Sequence, residues 1–259
     1  MYARVIEDSI WNDVRLTTME VRAPKFLDAE FRTHGQMAQN CSSSRAVPVE
    51  RTVENGIFFP TDIRLAEKGM QGYEKLRDVD GFHADLKYLY EEIANFTGRW
   101  DVVHKQHINR YLEPFSYQFR LMTSYDEGWA NFFRLRLAED VDPAMQQIAR
   151  MMKDAYDIST PIEKNRHIPY NTDDMDVSAA RCARISYTNH GTKKIDEEAD
   201  RRLAETLKRN CHWTPLEHQC VAMCFSGDKK GWTHQTVDGR WWSGRFPLWV
   251  QYRKLMEGQ

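Results

Sequence analysis

The sequence predicts an α/β fold, a central mixed or antiparallel β-sheet wrapped by long helices, built by residues 1–259 as one domain. Three observations point there. Arg15 to Arg22 (RLTTMEVR) is rich in β-branched residues, which suit a pleated, half-buried surface, and Ala23-Pro24 stops it. Glu217 to Phe225 reads as a second, buried strand, with Cys220, Ala222 and Cys224 on one face at period two. Between them, from about Thr61 to Asp157, the chain reads as mostly helical. There Leu86, Leu89, Tyr90 and Ile93 recur at i, i+3, i+4 and i+7.

The remaining elements follow from local chemistry. Phe26 to Gln39 has helical spacing, and the cluster Asn40-Cys41-Ser42-Ser43-Ser44 breaks it, because such side chains bond nearby backbone. Asp142-Pro143 opens a helix through Met145, Ile148 and Met152. Asn165 to Asp176 is polar and holds Pro169, so loop 165–176 is the best candidate for an internal boundary. Ser178 to Arg184 is a short basic segment with apolar flanks. Ile195 to Asn210 carries acids in its first turn and bases in its last, matching the helix dipole.

Composition narrows the function. The chain is 41% hydrophobic and 29% charged with a net charge of −2, which gives no overall field toward nucleic acid or an anionic membrane. A bound nucleotide must therefore be held by locally placed arginines. No apolar run approaches the roughly 20 residues of a membrane span. The opening MYARVIEDSIWNDVR has no apolar core, so it does not read as a signal peptide, and the cytoplasm is the expected location.

Five cysteines, at 41, 182, 211, 220 and 224, form an odd set without C-x-x-C spacing, so no disulfide framework is expected. Cys211, His212, His218, Cys220 and Cys224 lie close enough to test for zinc, but their spacing matches no common structural site, and small apolar cysteines in a buried strand explain them. The tail from Gly231 interleaves Trp232, Trp241, Trp242, Trp249 and Tyr252 with Arg240, Arg245, Arg253 and Lys254. It either stacks on a nucleic acid or planar cofactor, or simply packs over a core or a neighbouring subunit.

Two segments carry chemistry. In the first, Thr33-His34-Gly35 is followed after seven residues by Ser43-Ser44-Arg45, a serine-rich turn whose hydroxyls and guanidinium suit a phosphate. The second, His212-Trp-Thr214-Pro-Leu-Glu217-His218, packs two histidines, a threonine and a carboxylate around a proline turn.

Together these segments resemble the flavin-dependent, X-type thymidylate synthases. The family signature is Arg-His-Arg, seven residues, then Ser and, two places on, Arg. Ala23-Pro24, Phe26, His34, Asn40, Ser43 and Arg45 fall on that pattern without a gap. Arg181 to Tyr187, the acidic-to-basic helix and His212 to His218 look like the family's flavin-contacting region. Asn131 to Arg136 is similar to its uracil-binding helix, and Arg110 with Pro114 matches a further nucleotide-binding arginine.

The resemblance implies that Glu30, Ser43, Ser44, Arg45, Arg110 and Arg136 hold deoxyuridine monophosphate (dUMP), with Arg136 and Ser43 the catalytic pair. It implies that His34, Asn40, Asn131, Ser186, His212, Thr214 and Glu217 contact FAD. It further implies methylenetetrahydrofolate and NADPH as co-substrates, dTMP as product, and a homotetramer with sites shared between subunits.

Three departures stand against it. Thr33 and Gly35 replace both signature arginines, with Arg32 one place away as a substitute for the first; Cys41 and Ala46 replace a glutamate and a tyrosine; and the blocks run in a permuted order. Circular permutation is tolerated when chain termini lie close together. The alternatives are hydroxymethylation of the same nucleotide, a catalytically silent nucleotide-binding subunit, and a zinc-containing nucleic-acid binder.

Overall fold

The fold is that of a computed structural model, which describes residues 1–69, 72–186, 196–222, 234–235, 241–242 and 245–257. Two long strands open it, β1 (Tyr2–Trp11) and β2 (Val14–Pro24). The turn between them, Asn12-Asp13, has φ of 45° and 63°, left-handed values that suit a two-residue hairpin and that Asn and Asp tolerate. That turn is the signal for β1, to which the sequence reading assigned no element.

A 3-10 turn (Lys25–Leu27), α1 (Asp28–Arg32) and β3 (Ala38–Cys41) follow, then α2 (Val49–Glu54), α3 (Val79–Arg99) and α4 (Lys105–Leu112). Next come β4 (Tyr117–Tyr125), α5 (Asp126–Arg136) and α6 (Pro143–Ile158). The chain ends with β5 (Ile162–Glu163), β6 (Arg166–His167), α7 (Met175–Ala183), α8 (Glu197–Arg209), β7 (Cys220–Ala222), β8 (His234–Gln235), β9 (Trp241–Trp242), β10 (Trp249–Gln251) and α9 (Tyr252–Met256).

The main sheet runs β3-β4-β2-β1-β5, antiparallel except where β5 lies parallel to β1, so the expected α/β class with a mixed sheet is what forms. Register sets the two faces, because side chains alternate along each strand. Met19 stands opposite Met122, and Thr18 opposite Thr123. The first face, with Met19, Val21 and Met122, buries Trp129, Phe132 and Phe133 of α5 and Met145, Ile148 and Met152 of α6. The second face meets α7 and the 3-10 turn after it (Arg184–Ser186) through Leu121, Cys182 and Ile185, and meets a small sheet, β10-β7-β6, through Leu16, Cys220 and Trp249.

Several expectations change. The helix expected over Phe26 to Gln39 is cut to five residues of α1, because Ala38 to Cys41 pair with Thr123 to Arg120 and tertiary pairing overrides helical spacing. The helical stretch from Thr61 to Asp157 is interrupted by β4, most of whose residues are buried, and α3 begins only at Val79. Leu89, placed on the apolar stripe of α3, is 50% exposed. The strand expected over Glu217 to Phe225 is a 3-10 turn at Thr214–Glu217 followed by β7; Cys224 and Phe225 lie outside the described residues. The segment Ser178 to Arg184 belongs to α7 and its C-cap, and β6 occupies part of loop 165–176.

Other readings hold. The helix from Asp142 is α6, and the acidic-to-basic helix is α8, capped by Asp196. Among the tail residues, Trp249 and Phe246 are fully buried in the core, while Trp232 and Arg240 lie outside the described residues. No described helix is long and apolar enough to cross a membrane.

Asp142 caps α6 by accepting from Ala144 N at 2.9 Å and Met145 N at 3.0 Å, ahead of Pro143. Asp142→Ala is expected to lower unfolding stability by about 0.5–2 kcal/mol, measured by urea denaturation. An unchanged midpoint would mean that the cap contributes nothing.

Candidate active site

The two motifs and the Arg181 block, far apart in sequence, meet at the edge strand β3. Its Asn40 donates to the carbonyl of Cys182 in α7 at 2.9 Å. The 3-10 turn of the second motif packs against β3, and Ala38 and Cys220 share one apolar cluster. Arg245 joins the motifs directly, donating to the Met37 carbonyl and to Glu217 Oε2, both at 3.0 Å. Segments far apart in the chain thus share one neighbourhood in space.

On the first face, Arg136 ends α5 and reaches back to α1. Its Nε donates to His34 Nε2 at 2.8 Å, and Nη2 to the Glu30 carbonyl at 2.9 Å and Thr33 Oγ1 at 2.7 Å. Nη1 reaches Glu30 Oε2 at 3.3 Å. A guanidinium has five N–H groups. Four are engaged, so one N–H on Nη1 has no partner among the described residues.

Burial, and then the charge of Arg136, hold the His34 imidazole down to about 4, so it is neutral and accepts at Nε2. Its ring packs edge-on against Phe132 with centroids 4.8 Å apart. Burial and the nearby Asp142 raise the Glu30 carboxyl, while Arg136 opposes them. The Arg136 side chain is 17% exposed. It is therefore a fixed cation with one free donor, suited to polarising a carbonyl.

The serine turn forms a separate site beyond the end of β3. A cleft of about 170 Å³ is lined by Lys25, Ser43, Ser44, Arg51, Asn109 and Glu113, among others. Asn109, 1% exposed, clamps the turn by donating to the carbonyls of Ser44 at 2.9 Å and Val47 at 2.7 Å. Ser43 Oγ accepts from Arg45 N at 3.2 Å. Arg45 and Arg110 are exposed and line no part of this cleft. Lys25, Asn109 and Glu113 were missed by the sequence reading, although Lys25 lies inside the Ala23-Pro24…Phe26 match.

The residues expected at the nucleotide therefore fall into two groups in one chain. Glu30 and Arg136 belong to the first face, and Ser43 and Ser44 to the cleft. Arg32, an exposed residue one place from the first signature position, bonds Asp28 at 2.7 Å and Cys41 Sγ at 3.0 Å.

The residues expected at the flavin are also dispersed. His34 and Asn131 sit at α5, with the Asn131 carbonyl oxygen taken by Arg134 at 2.8 Å. Asn40 faces α7 and spends its amide on Cys182. Glu217 is buried between Arg245 and Arg253. His212 and Thr214 are exposed, and the Ser186 side chain lies outside the described residues. None of the described side chains of this set lines the cleft beside the serine turn.

Behind the second motif runs a buried polar chain. His167 bonds Ser9 Oγ at 2.8 Å through Nδ1 and Thr18 Oγ1 at 2.7 Å through Nε2. Thr18 continues to Thr123 Oγ1 at 2.6 Å, and Thr123 to His218 Nδ1 at 2.8 Å. His218 Nε2, fully buried, has no hydrogen-bond partner among the described residues. Among the described residues no group of His, Cys, Asp or Glu is arranged to hold a metal ion; Cys224 lies outside them.

The fold is α/β, with a five-stranded main sheet whose edge strand β3 borders several of the candidate residues. No family model and no curated protein matches the chain. Among solved structures it is similar to the crystal structure of a UMP/dUMP methylase, PolB from Streptomyces cacaoi, bound with 5-Br dUMP. The identity is 17%, over 55% of this chain and 65% of that one, with a TM-score of 0.48. The match thus spans less than two thirds of that structure's own length.

Proposed function

We propose that the chain is a transferase that adds a one-carbon unit at C5 of dUMP, with methylenetetrahydrofolate as the donor. One observation carries this reading: the Ser43-Ser44-Arg45 segment, the Arg181 segment and the His212 segment, each resembling part of the X-type thymidylate synthases, gather around β3. Chance resemblance gives no reason for three separated segments to become neighbours.

In this reading the free N–H of Arg136 meets a pyrimidine carbonyl and stabilises the negative charge that develops in the ring, an electrostatic contribution made without a covalent nucleophile. His34, neutral and accepting, fixes the guanidinium plane. Ser43 and Ser44 meet the phosphate from the cleft, with Arg45 and Arg110 approaching from solvent. Because the two groups lie apart in one chain, the complete site joins the cleft of one copy to the Arg136 cluster of another in a homotetramer.

FAD, reduced by NADPH, is proposed for the same assembly, between copies. When bound, it supplies the hydride that turns a methylene into a methyl group. The dispersal of the flavin set favours a second reading, hydroxymethyl transfer, in which the C5 methylene takes up water and needs no hydride.

Absorbance spectra of the purified protein with and without FAD and dUMP, followed by mass analysis of the product, test both. Flavin bands that shift with dUMP, together with dTMP as product, support the first reading. A hydroxymethyl product supports the second, and no product with either donor set ends both in favour of a silent subunit. Ser43→Ala is expected to weaken dUMP binding several-fold with an unchanged melting temperature, since the Ser43 side chain is exposed and accepts only a local N–H bond. Unchanged affinity in a calorimetric titration would remove Ser43 from the site.

A further inference from the structure

The cleft beside the serine turn already contains an anion of its own. Lys25 Nζ donates to Glu113 Oε1 at 2.8 Å and also to Ser44 Oγ, and Ser44 Oγ donates to the same Glu113 oxygen. The Lys25 side chain is 16% exposed and that of Glu113 36%. Lys25 is anchored by its backbone, which donates to Ser116 O at 2.8 Å, and Glu113 by its place at the start of the 3-10 turn Glu113–Phe115. The Ser44 turn is pinned by buried Asn109. Arg51 lines the same cleft from α2.

An ammonium and a hydroxyl converging on one carboxylate oxygen are the donors that a phosphate oxygen requires. We propose that Glu113 is an internal stand-in for phosphate: its carboxylate fills a phosphate-monoester subsite made by Lys25 and Ser44, and an incoming phosphate displaces it. Lys25 can turn from one acceptor to the other, because an ammonium is a compact charge with three rotatable donors. The exchange favours a dianionic phosphate over a neutral ligand, since only the former replaces the carboxylate charge beside Lys25. The subsite would thereby select a nucleoside monophosphate over the nucleoside.

The identity of the nucleotide rests on the dUMP reading above; the phosphate subsite itself does not. The intact protein, Glu113→Gln and Lys25→Gln are titrated by calorimetry with inorganic phosphate, dUMP and deoxyuridine, after a thermal melt confirms folding. Glu113→Gln, nearly isosteric, is expected to bind phosphate and dUMP about tenfold more tightly, with deoxyuridine unchanged. Lys25→Gln is expected to bind both about tenfold more weakly. Weaker or unchanged phosphate binding in Glu113→Gln overturns the inference. Should dUMP bind the wild type yet ignore both substitutions, the subsite falls and the nucleotide reading stands. Should phosphate respond as expected while dUMP fails to bind, the subsite stands and the nucleotide reading falls.

Discussion

Under the proposed function, Arg136→Ala is expected to lower turnover of dUMP by about a hundred- to a thousandfold, the loss that follows removal of one preorganised donor to a developing negative charge. The geometry supplies the reason. Four of the guanidinium N–H groups are held by His34, Glu30 and Thr33, so the group is fixed in place before any ligand arrives. The same geometry also gives Arg136 a structural role. Truncation removes the partner of His34 Nε2, which is 6% exposed in its residue, and leaves the Glu30 carboxylate without its cation. A stability loss of about 1–3 kcal/mol is therefore expected alongside the catalytic one. Arg136→Lys separates the two, since an ammonium restores the charge near Glu30 but not the planar fork. It is expected to recover most of the melting temperature and little of the rate. Steady-state kinetics and thermal melts on both variants provide the check, and wild-type turnover in Arg136→Ala would remove the residue from the chemistry.

What the sequence disclosed, and what it hid, has a physical pattern. Elements whose signals are local were legible: β2 from its β-branched run, α6 from Asp142-Pro143, α8 from its charge polarity. Elements made by pairing with distant chain were not. β3 reads as the end of a helix, and only its partner β4, some 80 positions away, makes it a strand. β4 itself lay inside a stretch read as helical, though Phe119, Leu121, Thr123 and Tyr125 alternate toward one face. The site divides in the same way. Arg136 and His34 were named from sequence and prove to be hydrogen-bonded partners. Lys25 and Glu113, 88 positions apart, carry no motif and become visible only when the fold joins them. Glu217 was named as a ligand contact, yet two arginines of the tail, Arg245 and Arg253, occupy its carboxylate. A carboxylate so enclosed is first of all the clasp that fastens the tail to the second motif, since a buried charge must be paired.

Acid is expected to destabilise the fold well above the range in which carboxylates protonate. His167 and His218 are both fully buried on the second face of the main sheet. Burial, followed by the charge of Lys164, pushes the His167 imidazole well below 6.5; burial, followed by Arg245, pushes that of His218 to about 3. In the unfolded chain both rings titrate near 6.5. As pH falls below that value, the unfolded chain takes up protons that the folded chain refuses, and stability drops by about 1.4 kcal/mol per pH unit for each ring. Between pH 7.5 and pH 5 His218 accounts for a loss of about 2 kcal/mol, and His167 acts in the same direction, against the roughly 5–15 kcal/mol that holds a domain together. His218→Leu isolates one contribution. It deletes the unpartnered Nε2 and the bond to Thr123, whose hydroxyl keeps Thr18 at 2.6 Å. That variant is expected to lie within about 1.5 kcal/mol of wild type at pH 7.5, because lost packing is offset by removal of an unsatisfied buried nitrogen. At pH 5 it should retain about 2 kcal/mol of the stability the wild type loses. Urea unfolding at the two pH values measures both quantities. An equal pH-dependent loss in wild type and His218→Leu would mean that His218 opens to solvent and protonates in the folded protein.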